Sequence, residues 1–235
     1  MSKISVIVPV YNGERDIERC LFSLINQTIA VDIIVVNDGS TDKTEEVVKK
    51  IVEVYPDRVS YYYKENGGIF WSICYDGTPE DTTKHTYNQA FSIYALSSYY
   101  EASGDEEALE MAKELFRIIE ERCTDEIGYK EAFDKEFHEI ENDKLSENGV
   151  IADKTMNTLL HVFEAYTELY RVDKNPVVKE KLMWMMDLIA EKIYNPELHR
   201  QEVFFDEKWN TIIDLHSYGH DIETAWLVDR TVQVI

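Results

Sequence analysis

The apolar period of this 235-residue chain changes once, across KENGGIFW, Lys64 to Trp71. Before that stretch, short β-branched runs alternate with amphipathic segments. After it, apolar residues recur at the helical spacing of 3.6. One layer type cannot bury both patterns, so the spacing predicts an α/β part followed by an all-α part.

Ile4 to Val10 (ISVIVPV) ends in Tyr11–Asn12–Gly13 and reads as a buried parallel strand with its turn. Glu14 to Gln27 places Ile17, Leu21, Leu24 and Ile25 on one helical stripe. Asp32 to Val36 is a second strand, closed by Asn37–Asp38–Gly39–Ser40. Asp42 and Glu45 have capping-box spacing for a helix reaching about Val54, and Val59 to Tyr63 is a third strand. The βαβαβ order predicts a right-handed parallel sheet with ligands at the carboxyl ends of its strands, where Asn12 and Asp38 fall.

From Thr86 the pattern becomes helical. Ala90, Phe91, Ile93, Tyr94 and Leu96, with Tyr99 and Tyr100, mark a helix that stops near Gly104. Glu106 to Arg122 supplies its antiparallel partner. Thr155 to Arg171 and Pro176 to Ile193 repeat the layout at a shift of 70, which sets Ala95, Tyr100 and Asp105 on Ala165, Tyr170 and Asn175. A further helix is expected from about Asp221. Aromatic, strand-like segments with acidic turns (GIFWSICYDG, YKEAFDKEFHEI, EVFFDEKWNTI) precede the polar helix starts KHTYN, DKTMN and HSYGHDIE. Polar groups therefore gather at one end of successive inner helices. Asn157 and His161 are four apart, and His220 and Glu223 three apart, so each pair shares a face, with Trp226 a turn beyond. His85 reads as a helix cap, and His138 and His199 as solvated. His216, His220 and Glu223 do not match a zinc spacing, and no metal site is expected from them.

Net charge is −22, divided as −3 over residues 1–66 (8 basic, 11 acidic) and −19 over the rest (16 basic, 35 acidic). Such a surface repels phosphate backbones and anionic lipid, which argues against nucleic-acid and membrane partners, whereas neutral sugars or cationic ligands meet no such penalty. Three widely spaced cysteines suit a reduced, cytoplasmic protein better than a disulfide framework. The apolar start is too short to span a membrane and lacks a signal-peptide cleavage pattern.

VPVYN followed by VVNDGSTDKT resembles the opening of family 2 glycosyltransferases of the GT-A fold. The resemblance implies that Pro9, Tyr11 and Asp38 cradle the base and ribose of a nucleotide sugar such as a UDP-sugar. The Asp-x-Asp with which that family holds a divalent cation occurs nowhere in this chain. A cation is therefore expected only under the transferase reading, and otherwise no cofactor.

KHTYNQAFSIYALSSYYEASGD, LSENGVIADKTMNTLLHVFEAYTELY and LHSYGHDIETAW are similar to cellobiose 2-epimerases and the wider N-acylglucosamine 2-epimerase family. The resemblance implies an (α/α)6 barrel, of which three or so hairpins are present. It also implies interconversion of glucose and mannose at a reducing end, as in cellobiose, through an enediolate. His220 would be the proton-transferring base, with Glu223 beside it holding its tautomer. Asn157, His161 and Trp226 would line the pocket, with Tyr87 a further candidate. The family's second catalytic histidine lies nearer its C-terminus, and no histidine follows His220 here. The chain thus reads as a chimaera of residues 1–66 and 67–235, with its seam between Tyr63 and Trp71. Open hairpin flanks and an open sheet edge predict self-association. Three functions stand open: a sugar 2-epimerase, a nucleotide-sugar transferase working through Asp38, and a non-catalytic sugar or nucleotide binder.

Overall fold

The computed structural model describes residues 4–37, 39–40, 42–63, 67–144 and 149–235. They form two compact units, Met1–Thr82 and Thr83–Ile235. This division follows the packing, whereas the expected one at residues 66 and 67 follows the change of sequence pattern.

The first unit runs β1 (Ile4–Val10), α1 (Ile17–Ile25), β2 (Val31–Asn37), α2 (Thr44–Val54), β3 (Val59–Tyr63), β4 (Ser72–Ile73) and β5 (Pro79–Asp81). The first three strands make a parallel sheet in the order β1-β2-β3, with Val6 opposite Ile33 and Ile33 opposite Val59. β2 has a neighbour on each side and is the most buried strand. Val10, Ile33, Val35 and Val59 pack with Ile17, Leu21, Val48 and Ile51, so both helices share one core with the sheet. Facing the other way, Ile34 is buried under the β4–β5 turn, where a Cβ on Gly77 would stand 3.0 Å from Ile34 Cγ2. Ile7, on the edge strand, stays 46% exposed. Pro9 is also on that edge strand, where a residue without an N–H is tolerated.

The capping-box expectation is corrected here. Helix α2 begins at Thr44, and Asp42 Oδ1 accepts the Thr44 N–H at 2.9 Å. Glu45 pairs with Lys49 instead of reaching back to the helix start. Glu14, from the loop after β1, accepts the Lys43 N–H at 3.1 Å, while Asp42 accepts the Glu14 N–H at 3.1 Å.

The second unit carries β6 (Lys84–His85), α3 (Thr86–Ser103), α4 (Glu106–Ile118), β7 (Ala132–Phe133), β8 (Glu139–Ile140) and β9 (Lys154–Thr155). It continues with α5 (Met156–Asp173), α6 (Pro176–Leu188), β10 (Tyr194–Asn195), β11 (Arg200–Gln201), β12 (Phe204–Phe205) and α7 (Tyr218–Val234). The repeat at 70 residues is structural. Gly104 and Lys174 both end an inner helix in the left-handed conformation, and Asp105 and Asn175 both cap the next by accepting from the second residue on. Helices α4 and α6 each widen into a π-helical turn, Ile119–Cys123 and Ile189–Ile193.

Helix α5 lies between α3 and α7 and is buried along nearly its whole length. Arg171 of α5 pairs with Glu101 of α3, and Arg230 of α7 with Glu168 of α5. Thr167 and Thr231 meet hydroxyl to hydroxyl at 2.7 Å. These links join the three helices at their C-terminal halves, so their N-terminal ends also lie together. Helix α7 begins at Tyr218, one turn earlier than the sequence indicated, which places His220 inside its first turn. Among the described residues no helix is long and apolar enough to cross a membrane.

Candidate functional site

Each inner helix starts against a short ribbon that fixes its first turn. β6 pairs with β7 ahead of α3, and β9 with β12 ahead of α5. Thr155, at the N-cap of α5, accepts the Thr158 N–H at 3.0 Å. Its own N–H goes to Glu131, a buried carboxylate that also accepts from Asn142 and Thr158. Gln201 of β11 holds α7. Its N–H donates to Asp221 at 3.0 Å, its side-chain amide donates to the His220 carbonyl at 3.2 Å, and its side-chain oxygen accepts from Thr224 at 3.0 Å. His85 occupies the N-cap of α3 with its backbone, but its side chain makes no capping bond and is buried.

At these helix starts, His161 and Glu164 of α5 converge with Glu223 of α7. One ligand atom from each lies within 4.8 Å of the other two. His161 Nδ1 stands 3.2 Å from Glu164 Oε2. An ionised carboxylate can only accept, so against it Nδ1 is the donor. Helix α3 adds an aromatic wall. The rings of Phe91 and Tyr87 lie 4.5 Å and 6.4 Å from the His161 ring, and meet each other edge to face at 5.9 Å. Burial raises the Tyr87 phenol pKa, which keeps it a neutral donor and acceptor. The result is a polar, acidic group beside apolar rings, a combination that can orient hydroxyls while a ring face takes the C–H side of a sugar.

The structure brings three expected residues together: Tyr87, His161 and Glu223. Asn157 lies one turn before His161 on α5, half-buried, and its amide makes no hydrogen bond among the described residues. His220 departs from expectation in its partner. Its Nδ1 lies 2.6 Å from Ser217 Oγ, while Glu223 faces His161 and Glu164. The Trp226 ring is 52% exposed, with the Arg230 guanidinium 5.6 Å above it. His216 Nε2 donates to Asp221 at 2.6 Å, so His216, His220 and Glu223 have separate partners and are not one ligand set. His138 and His199 are exposed, as read.

Glu164 escaped the sequence reading, although a signal was present: HVFE (161–164) and HDIE (220–223) are the same His-x-x-Glu on two inner helices. Ser217 and Gln201 carried no such signal.

In the first unit, the loops after β1 and β2 are bonded to each other. Asn37 accepts the Ser40 N–H at 2.9 Å and donates to the Tyr61 hydroxyl at 2.8 Å. Ser40 Oγ accepts the Asn12 N–H at 2.9 Å, and Asn12 Oδ1 accepts the Asp42 N–H at 3.3 Å. Pro9 is exposed and Tyr11 half-buried, while Asp38 lies outside the described residues.

Fold and site together define a helical-hairpin protein with a histidine–carboxylate group and an aromatic wall at the entry of its inner helices. The family model for N-acylglucosamine 2-epimerase (GlcNAc 2-epimerase) matches residues 42–233, and the chain belongs to that family. Residues 5–73 match the model for glycosyl transferase family 2, so the chain joins stretches similar to two sugar-enzyme families. A cellobiose 2-epimerase of Ruminococcus albus is 52% identical over 171 residues, covering 73% of this chain and 44% of that protein. The crystal structure of a sugar epimerase from a ruminal bacterium superposes with a TM-score of 0.72 at 47% identity, covering 81% of this chain and 49% of that one. For the first unit, glycosyltransferase GlyA of Streptococcus pneumoniae is 48% identical over 68 residues, 28% of this chain and 10% of that protein. The chain spans about half the length of the epimerases it matches.

Proposed function

We propose that the helical unit is part of an (α/α)6 barrel and acts as a sugar 2-epimerase on the reducing end of a neutral disaccharide such as cellobiose. The observation that carries this reading is the convergence of His161, Glu164 and Glu223 beside the Tyr87–Phe91 wall, within a segment half identical to cellobiose 2-epimerases. Epimerisation removes the C2 proton of the open-chain aldose to give an enediolate, then returns a proton to the opposite face of C2. His220 is the proton-transferring base in this scheme. Histidine suits the task because its ordinary pKa lies near neutrality. Asn157, His161 and Tyr87 hold the substrate's hydroxyls, and Trp226 offers a ring face to the distal sugar. Neutral substrates also suit a surface of net charge −22. The apolar stripe of Tyr218, Ile222 and Trp226 on α7 is largely exposed and supports self-association of the chain, which sedimentation velocity over a concentration series tests.

The test is proton NMR of the protein with cellobiose in D₂O near neutral pH, with His220→Ala alongside. Loss of the C2 proton signal that depends on His220 is expected, with or without growth of the 2-epimer, because exchange needs one base and inversion needs a second group on the opposite face. A folded protein that leaves C2 unexchanged refutes the epimerase reading.

The match over residues 5–73 favours a second reading for the first unit, nucleotide-sugar binding at Pro9, Tyr11 and Asp38, with a divalent cation only in that case. Calorimetry with UDP, with and without Mg²⁺, decides it. Heat of binding that disappears in Asp38→Ala supports this reading, and no heat in the unaltered protein ends it.

A further inference from the structure

Ser217 and Thr155 hold equivalent places, each the N-cap of an inner helix. A serine or threonine hydroxyl there ordinarily accepts a backbone N–H from the second or third helical residue. Thr155 does so, accepting from Thr158 at 3.0 Å. Ser217 makes no capping bond, and its Oγ lies 2.6 Å from Nδ1 of His220, again the third residue on. The helix start is secured by other groups: Asp221 between Gln201 and His216, and the Gln201 amide on the His220 carbonyl. The hydroxyl has been diverted from backbone to side chain.

The partner's chemistry matters. His161 has a carboxylate at Nδ1, which can only accept and so keeps a proton on that nitrogen. A hydroxyl both donates and accepts. It can donate to a bare Nδ1 when the proton is on Nε2, or accept from Nδ1–H when Nε2 is bare or when the ring is cationic. The contact therefore survives every protonation state of the ring. His220 Nε2 makes no hydrogen bond among the described residues, so it is the nitrogen left for a ligand.

We infer that Ser217 is a positioning residue that holds the His220 ring through Nδ1 without fixing its tautomer, presenting Nε2 either bare or protonated. This rests on the 2-epimerase reading for its chemistry. In the step concerned, bare Nε2 takes the C2 proton, the C2–H pair becomes the enediolate, and the imidazolium keeps its Nδ1–H on Ser217. Returning the proton from Nε2 restores the neutral ring with the same contact.

The experiment compares the full chain with Ser217→Ala, Ser217→Thr and Ser217→Asp. Long-range ¹H–¹⁵N NMR reads the His220 tautomer, and C2 exchange with cellobiose in D₂O reads the step. In the unaltered protein both ring nitrogens are expected at intermediate shifts, the sign of mixed tautomers. Ser217→Asp shifts the ring to Nδ1–H, as at His161. Ser217→Ala slows exchange about tenfold at saturating sugar with KM little changed, and Ser217→Thr restores it to within about threefold. Circular dichroism checks that each variant is folded. A single fixed tautomer in the unaltered protein, or a tautomer and exchange rate untouched by Ser217→Ala, overturns the inference. Absence of C2 exchange in every form removes the epimerase reading, and the tautomer measurement still decides what Ser217 does.

Discussion

Glu131 Oε1 accepts the Thr155 N–H at 2.7 Å, which sets a fully buried carboxyl group at the entry of helix α5. Burial pushes its pKa up from 4.5 to about 7, against the opposing pull of the Thr158 and Thr155 hydrogen bonds. The folded chain thus keeps a proton there that the unfolded chain loses at lower pH. The contribution to stability is fully present below about pH 4.5 and is lost as pH rises through about 7, a span worth about 3 kcal/mol. Glu131→Gln removes that slope. Urea midpoints at pH 5 and pH 8 are expected to converge in the variant relative to the unaltered protein, and parallel losses in both would show that the group is ionised throughout.

Glu168, 3% exposed, accepts from Arg171 at 2.9 Å and from Arg230, tying α5 to α7. Its replacement by glutamine removes the charge between two guanidinium groups that stay partly in solvent. We expect a loss of about 2 kcal/mol, below the cost for a wholly buried pair. Chemical denaturation measures the loss, and hydrogen exchange should rise first in the C-terminal half of α7.

A Cβ at Gly128 would stand 2.7 Å from Trp209 Cζ2. Trp209 is buried and anchored by its indole N–H on the Ile127 carbonyl at 2.8 Å, so it has little room to move. Gly128→Ala is expected to destabilise the helical unit by about 1–3 kcal/mol, read as a lowered melting temperature.

Glu164 fixes the proton of His161 on Nδ1. Under the epimerase reading, Glu164→Gln leaves a hydrogen-bond acceptor but removes a charge from the group with Glu223. C2 exchange in D₂O is expected to fall about tenfold to a hundredfold with the fold retained. An unchanged rate would place Glu164 outside the working site.

Much of the fold was legible because it rests on local rules. The runs at Ile4–Val10 and Val31–Asn37 are strands because stretches dominated by β-branched residues suit a parallel sheet. Gly104 marks a helix end through its backbone preference, and Asp105 and Asn175 mark helix starts through side-chain oxygens that accept a nearby N–H. The errors arose where a partner comes from far along the chain. Asp42 faces Glu14 across 28 residues, so the helix start nearby follows the fold instead of the capping-box spacing.

The site divides the same way. His-x-x-Glu places two polar groups on one helix face by geometry alone, and the polar helix starts put them at one end. That His161 meets Glu223, 62 positions later, depends on α7 docking against α5 through Glu168 and Thr167. That His220 turns to Ser217 is set at a helix start docked by Gln201, whose N–H donates to Asp221 and whose amide donates to the His220 carbonyl. Chain order alone settles which segments are strands or helices, because backbone periodicity is a local property. Which side chains face each other is decided by packing, because a hydrogen bond goes to whatever partner space supplies.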